Sequence, residues 1–417
     1  MFARIKPYIH QLLRKSEKYT KTDMVYLAKG SFWMSFGQII SSGAAFATAI
    51  MFANLISKHD FGIYKYALSV AGILGAFTLH GFSAAIPQSV SRGYEKVISK
   101  SFIENIKWHS FFFFGGIVVA GYYYYKQNSI LASLILIIAI LQPFLSSLNI
   151  FSYYLNGKKL FKENMFYTVV KNCLLFICLL LVTLVSKNII YILLTYFLAQ
   201  ILVSYFFHRK VIKTVPINSK EDTQVIENAK HFSFINILSV IANHIDKILI
   251  FQFLGSAELA IYLFAIAVPE QMRGFTKQIG VLALPKFAVG EMAEIKKTMQ
   301  GKIIKFSLLI IFIILFYILI APWIYKIVFP QYLDSILYSQ IFSISLLGAV
   351  AVLPLSALQA KLAKKDLYKL TTISSVLQLI FIFSGIYFYG LMGLIIAKVT
   401  FRLINLLLTY LLFQRSN

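Results

Sequence analysis

Among the ionisable residues inside otherwise apolar stretches, seven could do chemistry together: Asp246, Lys247, Glu270, Arg273, Lys277, Lys398 and Arg402. A charge in such surroundings is costly and generally faces a partner or a wet cavity, so its sign indicates what the cavity accepts. Glu270, Arg273 and Lys277 fall at i, i+3 and i+7, on one face of a helix, just after Pro269. The proline removes a backbone donor and can kink that helix, exposing carbonyls. Glu270 can pair with Arg273 at this spacing, which leaves Lys277 as surplus positive charge. Lys398 and Arg402 are one turn apart, with Asn405 following. These positions supply a basic lining without equivalent acidic charge, suited to charge neutralisation; a structural salt-bridge network is the alternative.

A second polar stripe runs through Ser233, Asn236, Ser239 and Asn243 to Asp246 and Lys247. Its three- and four-residue steps keep it on one side of a helix. Asp246 and Lys247 are sequence neighbours that do not face each other squarely, so each is expected to find a partner elsewhere. The stripe reads as a cavity lining, or as packed ion pairs, or as carrying a snorkelling Lys247. Asp246 and Glu270 are the carboxylates available for coupling to a proton or sodium gradient, or else they are structural. His80, His231 and His244 are isolated and read as packing or boundary residues, while Lys65 and Lys171 can reach the interface. No catalytic residue, cofactor-binding residue or metal ligand is assigned. The glycines form no P-loop, no His/Glu/Cys pattern suggests a metal, and Cys173 and Cys178 read as helix packing.

The elements that must position these charges are long apolar helices. The 417 residues are 59% hydrophobic and 13% charged, far from the balance of a soluble globule. Apolar runs recur at 30–54, 61–85, 108–125, 129–151, 166–186, 189–206, 231–254, 259–283, 303–325, 335–355, 371–389 and 392–413. Within hydrocarbon every backbone polar group must be satisfied inside its own segment, so each run reads as a transmembrane helix. The fold class is therefore an all-α polytopic membrane protein of about twelve spans. The net charge of +24 gathers in short breaks between runs, which argues against a nucleic-acid partner. Lysines and arginines concentrate in alternate loops, including Arg92, Lys96, Lys100 and Lys107, then Lys361, Lys364, Lys365 and Lys369. The positive-inside rule puts those loops and both termini in the cytoplasm. The outer loops are too short for a catalytic domain.

The chain also repeats itself. Phe61–Val70 (FGIYKYALSV) and Leu259–Val268 (LAIYLFAIAV) align at an offset of 198, which also relates Tyr64 to Tyr262 and Pro87 to Pro285. Two six-helix halves follow, parallel because six is even, a design that can enclose a cavity and open alternately to either side. The division is a basic amino-terminal segment 1–29, a lobe 30–206, a cytoplasmic linker 207–230, a lobe 231–413 and a tail 414–417.

These residues resemble a family. GSFWMSFGQIISS, KHDFGIYKYALS, the IANHIDKILIFQFLGSAELAIYLFA block and ALPKF are similar to the polysaccharide-type flippases of bacterial envelopes, especially O-antigen or capsule repeat-unit translocases. That family shares a superfamily with multidrug and toxin extruders and the lipid II flippase. Asp246–Lys247 looks like the family's Asp–Arg-like pair with lysine in place of arginine, which keeps the charge and loses the bidentate geometry. The resemblance implies flipping of a polyprenyl-diphosphate oligosaccharide from the cytoplasmic to the periplasmic leaflet of the bacterial inner membrane. It also implies partners among membrane lipids and other envelope polysaccharide assembly proteins. Arg273, Lys277, Lys398, Arg402 and Lys247 would then form the path for the diphosphate. A cation-coupled drug antiporter of the related branch and a membrane oligosaccharide polymerase or ligase stand as alternatives. The basic lining disfavours the first, and the short outer loops disfavour the second.

Overall fold

The computed structural model describes residues 24–289, 291–361 and 363–416; the side chains of 24–32, 34, 35, 277, 278, 281, 282, 284–286, 288, 289 and 364 lie outside the described set. No strand occurs among the described residues. In chain order the helices are α1 (Met24–Leu55), α2 (Lys58–Gly75), α3 (Phe82–Ser91), α4 (Val97–Tyr125), α5 (Ser129–Leu148), α6 (Ile150–Gly157), α7 (Phe161–Val185) and α8 (Ile189–Thr214). There follow α9 (Val225–Leu254), α10 (Ser256–Val289), α11 (Met292–Val328), α12 (Ser335–Ser343) and α13 (Val352–Ala360). The segment Lys364–Arg415 divides at Tyr389 and Gly390 into α14 (364–388) and α15 (391–415). Eight helical stretches among the described residues are long and apolar enough to cross a membrane. The chain is an all-helical, polytopic membrane protein.

The last stretch shows how local chemistry sets the spans. Its 52 residues would extend about 78 Å as one helix, more than twice a bilayer core of about 30 Å. It breaks at Tyr389 and Gly390, where Gly390 takes φ 56° and ψ −134°, a region essentially reserved for glycine. The arms then fold back on one another: a Cβ on Gly393 would stand 2.1 Å from the Gly385 carbonyl oxygen. The break falls between the expected spans 371–389 and 392–413.

Elsewhere single expected spans are interrupted. The run 61–85 divides into α2 and α3 at a turn in which Thr78 Oγ1 donates to the Gly75 carbonyl at 2.7 Å. The run 129–151 ends with α5 at Leu148, and 335–355 passes through a 3₁₀ stretch, Ile344–Ala351. At three tight turns a side-chain oxygen caps the following helix: Ser57 accepts from the Asp60 N–H, Asn128 from Leu131 and Asn188 from Ile190. Such caps satisfy amide donors the helix itself leaves open.

The chain forms two compact units. One comprises 37–261 with Val328–Gln331. In it α9 lies against α2 and α3, and glycines set the approach. A Cβ on Gly62 would stand 2.0 Å from the Ser256 carbonyl oxygen, and one on Gly81 would stand 2.1 Å from that of Ala229. The Gly81 N–H donates to Ser233 Oγ at 2.9 Å. At one end of this packing Gln252 Nε2 donates to the hydroxyls of Tyr66 (2.8 Å) and Tyr123 (2.7 Å), which also bond each other. At the other end the loop after α8 is stitched down. Glu95 accepts from the Asn218 N–H at 2.9 Å and pairs with Lys158, Lys96 pairs with Glu221 at 2.6 Å, and Ser89 bonds Asp222. Burial alone would raise the Glu95 carboxyl; Lys158 and the Asn218 N–H outweigh it and hold the group below its usual range.

The segment 207–230 therefore includes the end of α8, a loop bonded to the turn before α4, and the start of α9. The packing boundary falls inside α10, between Ile261 and Tyr262. The expected lobes 30–206 and 231–413 are drawn from the 198-residue offset, not from packing.

The other unit comprises Tyr262–Ile327 and the chain from Tyr332 onward, with residues up to Phe36. The stretch Ser335–Ala360 is the most buried of the eight candidate spans. Tyr317 and Ser339 hydroxyls bond at 2.6 Å, and Tyr325 donates its hydroxyl to the Phe264 carbonyl at 2.7 Å.

Candidate functional site

Within the second unit, α10, α15 and the 3₁₀ stretch bring together Glu270, Arg273, Lys398 and Arg402. Arg402 donates from Nη2 to Glu270 Oε1 and from Nη1 to Ser345 Oγ at 2.9 Å, with its guanidinium 4.8 Å from the Phe342 ring centre. The other Glu270 oxygen faces Arg273 Nη1 at 3.7 Å. One carboxylate thus sits between two guanidinium groups. One turn earlier on α15, Lys398 Nζ donates to the hydroxyl of fully buried Tyr262 at 2.7 Å. Three cations against one carboxylate leave a formal excess of two positive charges in this cluster.

Exposure is graded across it. The side chains of Glu270 and Arg273 are 34% and 32% exposed, whereas that of Arg402 is 10% exposed. Arg402 is the fixed member, held by a carboxylate, a hydroxyl and a ring face; Glu270 and Arg273 keep surface for a ligand. Charges near the middle of long apolar helices, open by a third, are tolerable only where that surface meets water or a polar ligand. Arginine suits such a site because its planar fork bonds two phosphate oxygens at once. Gly348 lets the 3₁₀ stretch approach α15 closely, since a Cβ there would stand 2.8 Å from the Arg402 carbonyl oxygen. Asn405 extends the polar wall, accepting from Ser374 Oγ at 2.5 Å.

The pairing differs from the i, i+3 expectation. Arg273 does face Glu270, but Arg402, 132 residues away, makes the closer bond. The Lys277 side chain lies outside the described residues. Pro269 sits within α10, whose helical assignment runs through it.

Asp246 and Lys247 belong to the first unit. Lys247 Nζ turns back to Asp246 Oδ1 at 3.2 Å and to the Asn243 carbonyl at 2.8 Å, and its N–H bonds the same Oδ1 at 2.9 Å. Adjacent positions do not face each other on a helix, but the flexible lysine stem spans the gap. Asp246 is fully buried.

Tyr262, Ser345 and Phe342 complete the site, and in the sequence only the internal repeat marks them. At the same offset of 198, Gln142, Phe144, Ser147 and Leu148 match Gln340, Phe342, Ser345 and Leu346. The repeat thus marks both the ring and the hydroxyl that hold Arg402. Its charges are not repeated: the positions answering to Glu270, Arg273, Lys398 and Arg402 are Gly72, Gly75, Gln200 and Ser204.

A family model described as polysaccharide biosynthesis protein matches residues 27–270. No curated protein is significantly similar to the chain in sequence. Among solved structures, the lipid II flippase MurJ in an inward closed conformation is 15% identical, with a TM-score of 0.73 over 91% of this chain and 86% of that one. An outward-facing multidrug resistance MATE family transporter of the MOP superfamily is 15% identical, with a TM-score of 0.65 over 93% and 94% of the two chains. A MOP superfamily transporter from Pyrococcus furiosus, described as having a binding pocket of reverse polarity, is 13% identical, with a TM-score of 0.59 over 93% and 94%. At these identities the likeness is one of fold.

Proposed function

We propose, from the premise that the chain belongs to the polysaccharide biosynthesis protein family, that it flips a polyprenyl-diphosphate-linked oligosaccharide across the bacterial inner membrane. The observation that carries this reading is the cluster of Arg402, Arg273 and Lys398 around the single carboxylate of Glu270. Without a ligand, Glu270 offsets part of the cost of holding guanidinium groups at membrane depth. An arriving diphosphate offers more oxygens and more negative charge than one carboxylate. It competes for Arg273 and the open face of the cluster while Arg402 stays anchored by Ser345 and Phe342. Once the diphosphate leaves, Glu270 reclaims both guanidinium groups, so the empty protein can reset without an exposed charge. The sugars follow the polar wall, and the polyprenyl chain remains in the bilayer.

Alternating access of the repeat halves would deliver the head group outward. A negative cell interior favours that direction, since the membrane potential contributes about 2.3 kcal/mol per charge per 100 mV. Downstream consumption of the flipped unit by envelope polysaccharide assembly proteins would keep its outer concentration low. Neither route requires a bound cofactor or an obligatory coupling ion. If an ion gradient contributes, Asp246 and Glu270 are the carboxylates through which it acts. The fold likeness to drug transporters makes a small-molecule antiporter the second reading; an excess of positive charge disfavours organic cations there.

The test is the sidedness of complete lipid-linked units in cells with and without the protein. Loss of a flippase traps them on the inner face. Unpolymerised units accumulating on the outer face instead would indicate a polymerase and reject this function.

A further inference from the structure

A second site lies within the first unit. Helices α4, α5 and α8 enclose a groove of about 640 Å³, within the range of pockets that hold small ligands. Its length is lined by apolar side chains, Leu141 and Phe144 from α5 and Leu198 and Leu202 from α8, three of which are about half exposed or more. Its other end is different. There Tyr205, His208, Arg209 and Lys213 gather at the carboxy-terminal end of α8. Arg209 Nε donates to the Tyr205 hydroxyl at 3.1 Å and its guanidinium stands 5.4 Å from that ring, which fixes the head while using one of five N–H donors. His208, 7% exposed, packs beside them at this end of the groove.

We propose that this groove holds an anionic phospholipid of the surrounding membrane, its phosphate on Arg209 and Lys213 and one acyl chain along Leu202, Leu198 and Phe144. The dimensions fit one leaflet. From Leu198 to Lys213 the helix rises about 22 Å, the distance from mid-bilayer through the head-group region. The loop charges place this cationic end in the cytoplasm, where anionic lipids attract basic side chains. The diphosphate lipid of the transport cycle is the weaker occupant, because beyond its cationic end the lining is apolar and offers sugars no hydrogen bonds. The site stands on the geometry of this unit and does not depend on the transport function.

Native mass spectrometry of the delipidated full-length protein, titrated with phosphatidylglycerol or phosphatidylcholine of the same chains, tests it. One phosphatidylglycerol is expected to be retained with roughly thirtyfold preference, given two basic side chains acting near the membrane surface. Arg209→Gln with Lys213→Gln is expected to abolish that preference. Leu202→Trp, which fills the groove and leaves the charges alone, is expected to lose the bound lipid altogether. Lys187→Gln, at the start of α8, should behave as the parent. Equal retention of both lipids, or retention by Leu202→Trp, overturns the proposal. So does displacement of phosphatidylglycerol by equimolar polyprenyl phosphate. If the double charge variant does not fold, the Leu202→Trp result decides.

Discussion

Replacing Gly348 by alanine probes how the cationic cluster is held without touching any charged group. The added Cβ would stand 2.8 Å from the Arg402 carbonyl oxygen and 2.9 Å from Arg402 Cβ, while ordinary contact begins near 3.4 Å. The nearest obstacle is backbone, so the 3₁₀ stretch and α15 must separate by about 0.6 Å. Overpacking of this kind costs about 1–3 kcal/mol. The same separation acts on the Arg402–Ser345 bond, now 2.9 Å, because Ser345 and Gly348 belong to one rigid segment. At about 3.5 Å little of that bond is left. With one anchor lost, ligand affinity should fall on the order of tenfold, the worth of a single charge-assisted bond. The assay is the initial rate of lipid-linked oligosaccharide transfer in sealed proteoliposomes, across substrate concentrations and normalised to inserted protein. Gly301→Ala is the control, since a Cβ there meets nothing within 4 Å. Parent-like affinity in a folded Gly348→Ala protein, or an equal loss in Gly301→Ala, would refute the reasoning.

Glu270→Gln should destabilise the protein by about 1–3 kcal/mol, a buried-pair loss discounted for the exposure of Glu270. Arg402→Gln added to it should recover part of that loss, so strictly additive effects in a denaturation series would contradict the pairing. Glu95→Gln reports on the stitched loop after α8. A carboxyl held below its ordinary 4.5 contributes stability above that pH and loses it as pH falls through the depressed value. The variant should therefore be less stable than the parent by about 1 kcal/mol at pH 7 and match it in strong acid; a pH-independent difference in thermal stability would contradict this. Gly390→Ala forces a side chain into positive φ at the turn between α14 and α15 and should cost about 1–3 kcal/mol. An unchanged melting profile would remove that turn from the explanation of the spans.

Much of this was legible in the sequence because membrane helices announce themselves by length. The last two expected spans meet at Gly390, where the structure turns. What escaped was whatever depends on residues remote in sequence or on the backbone alone. Glu270 and Arg273 are visible at i, i+3, but nothing local points Glu270 to Arg402. The break between α2 and α3 falls inside an apolar run with no proline at the turn to mark it. Lys247 returns to Asp246 because its stem is long, which helical spacing alone does not capture. The repeat carried more than was taken from it, since Phe144 and Ser147 mark Phe342 and Ser345 at the same offset.

The most direct measurement is transfer of a fluorescent polyprenyl-diphosphate oligosaccharide across sealed proteoliposomes by the parent and by a protein with Arg273, Lys277, Lys398 and Arg402 all replaced by glutamine. The parent should move the diphosphate lipid and the folded, inserted variant should not, while a neutral glycolipid with the same sugars should be a poor cargo for both. Undiminished flipping by the variant would contradict the role assigned to these cations.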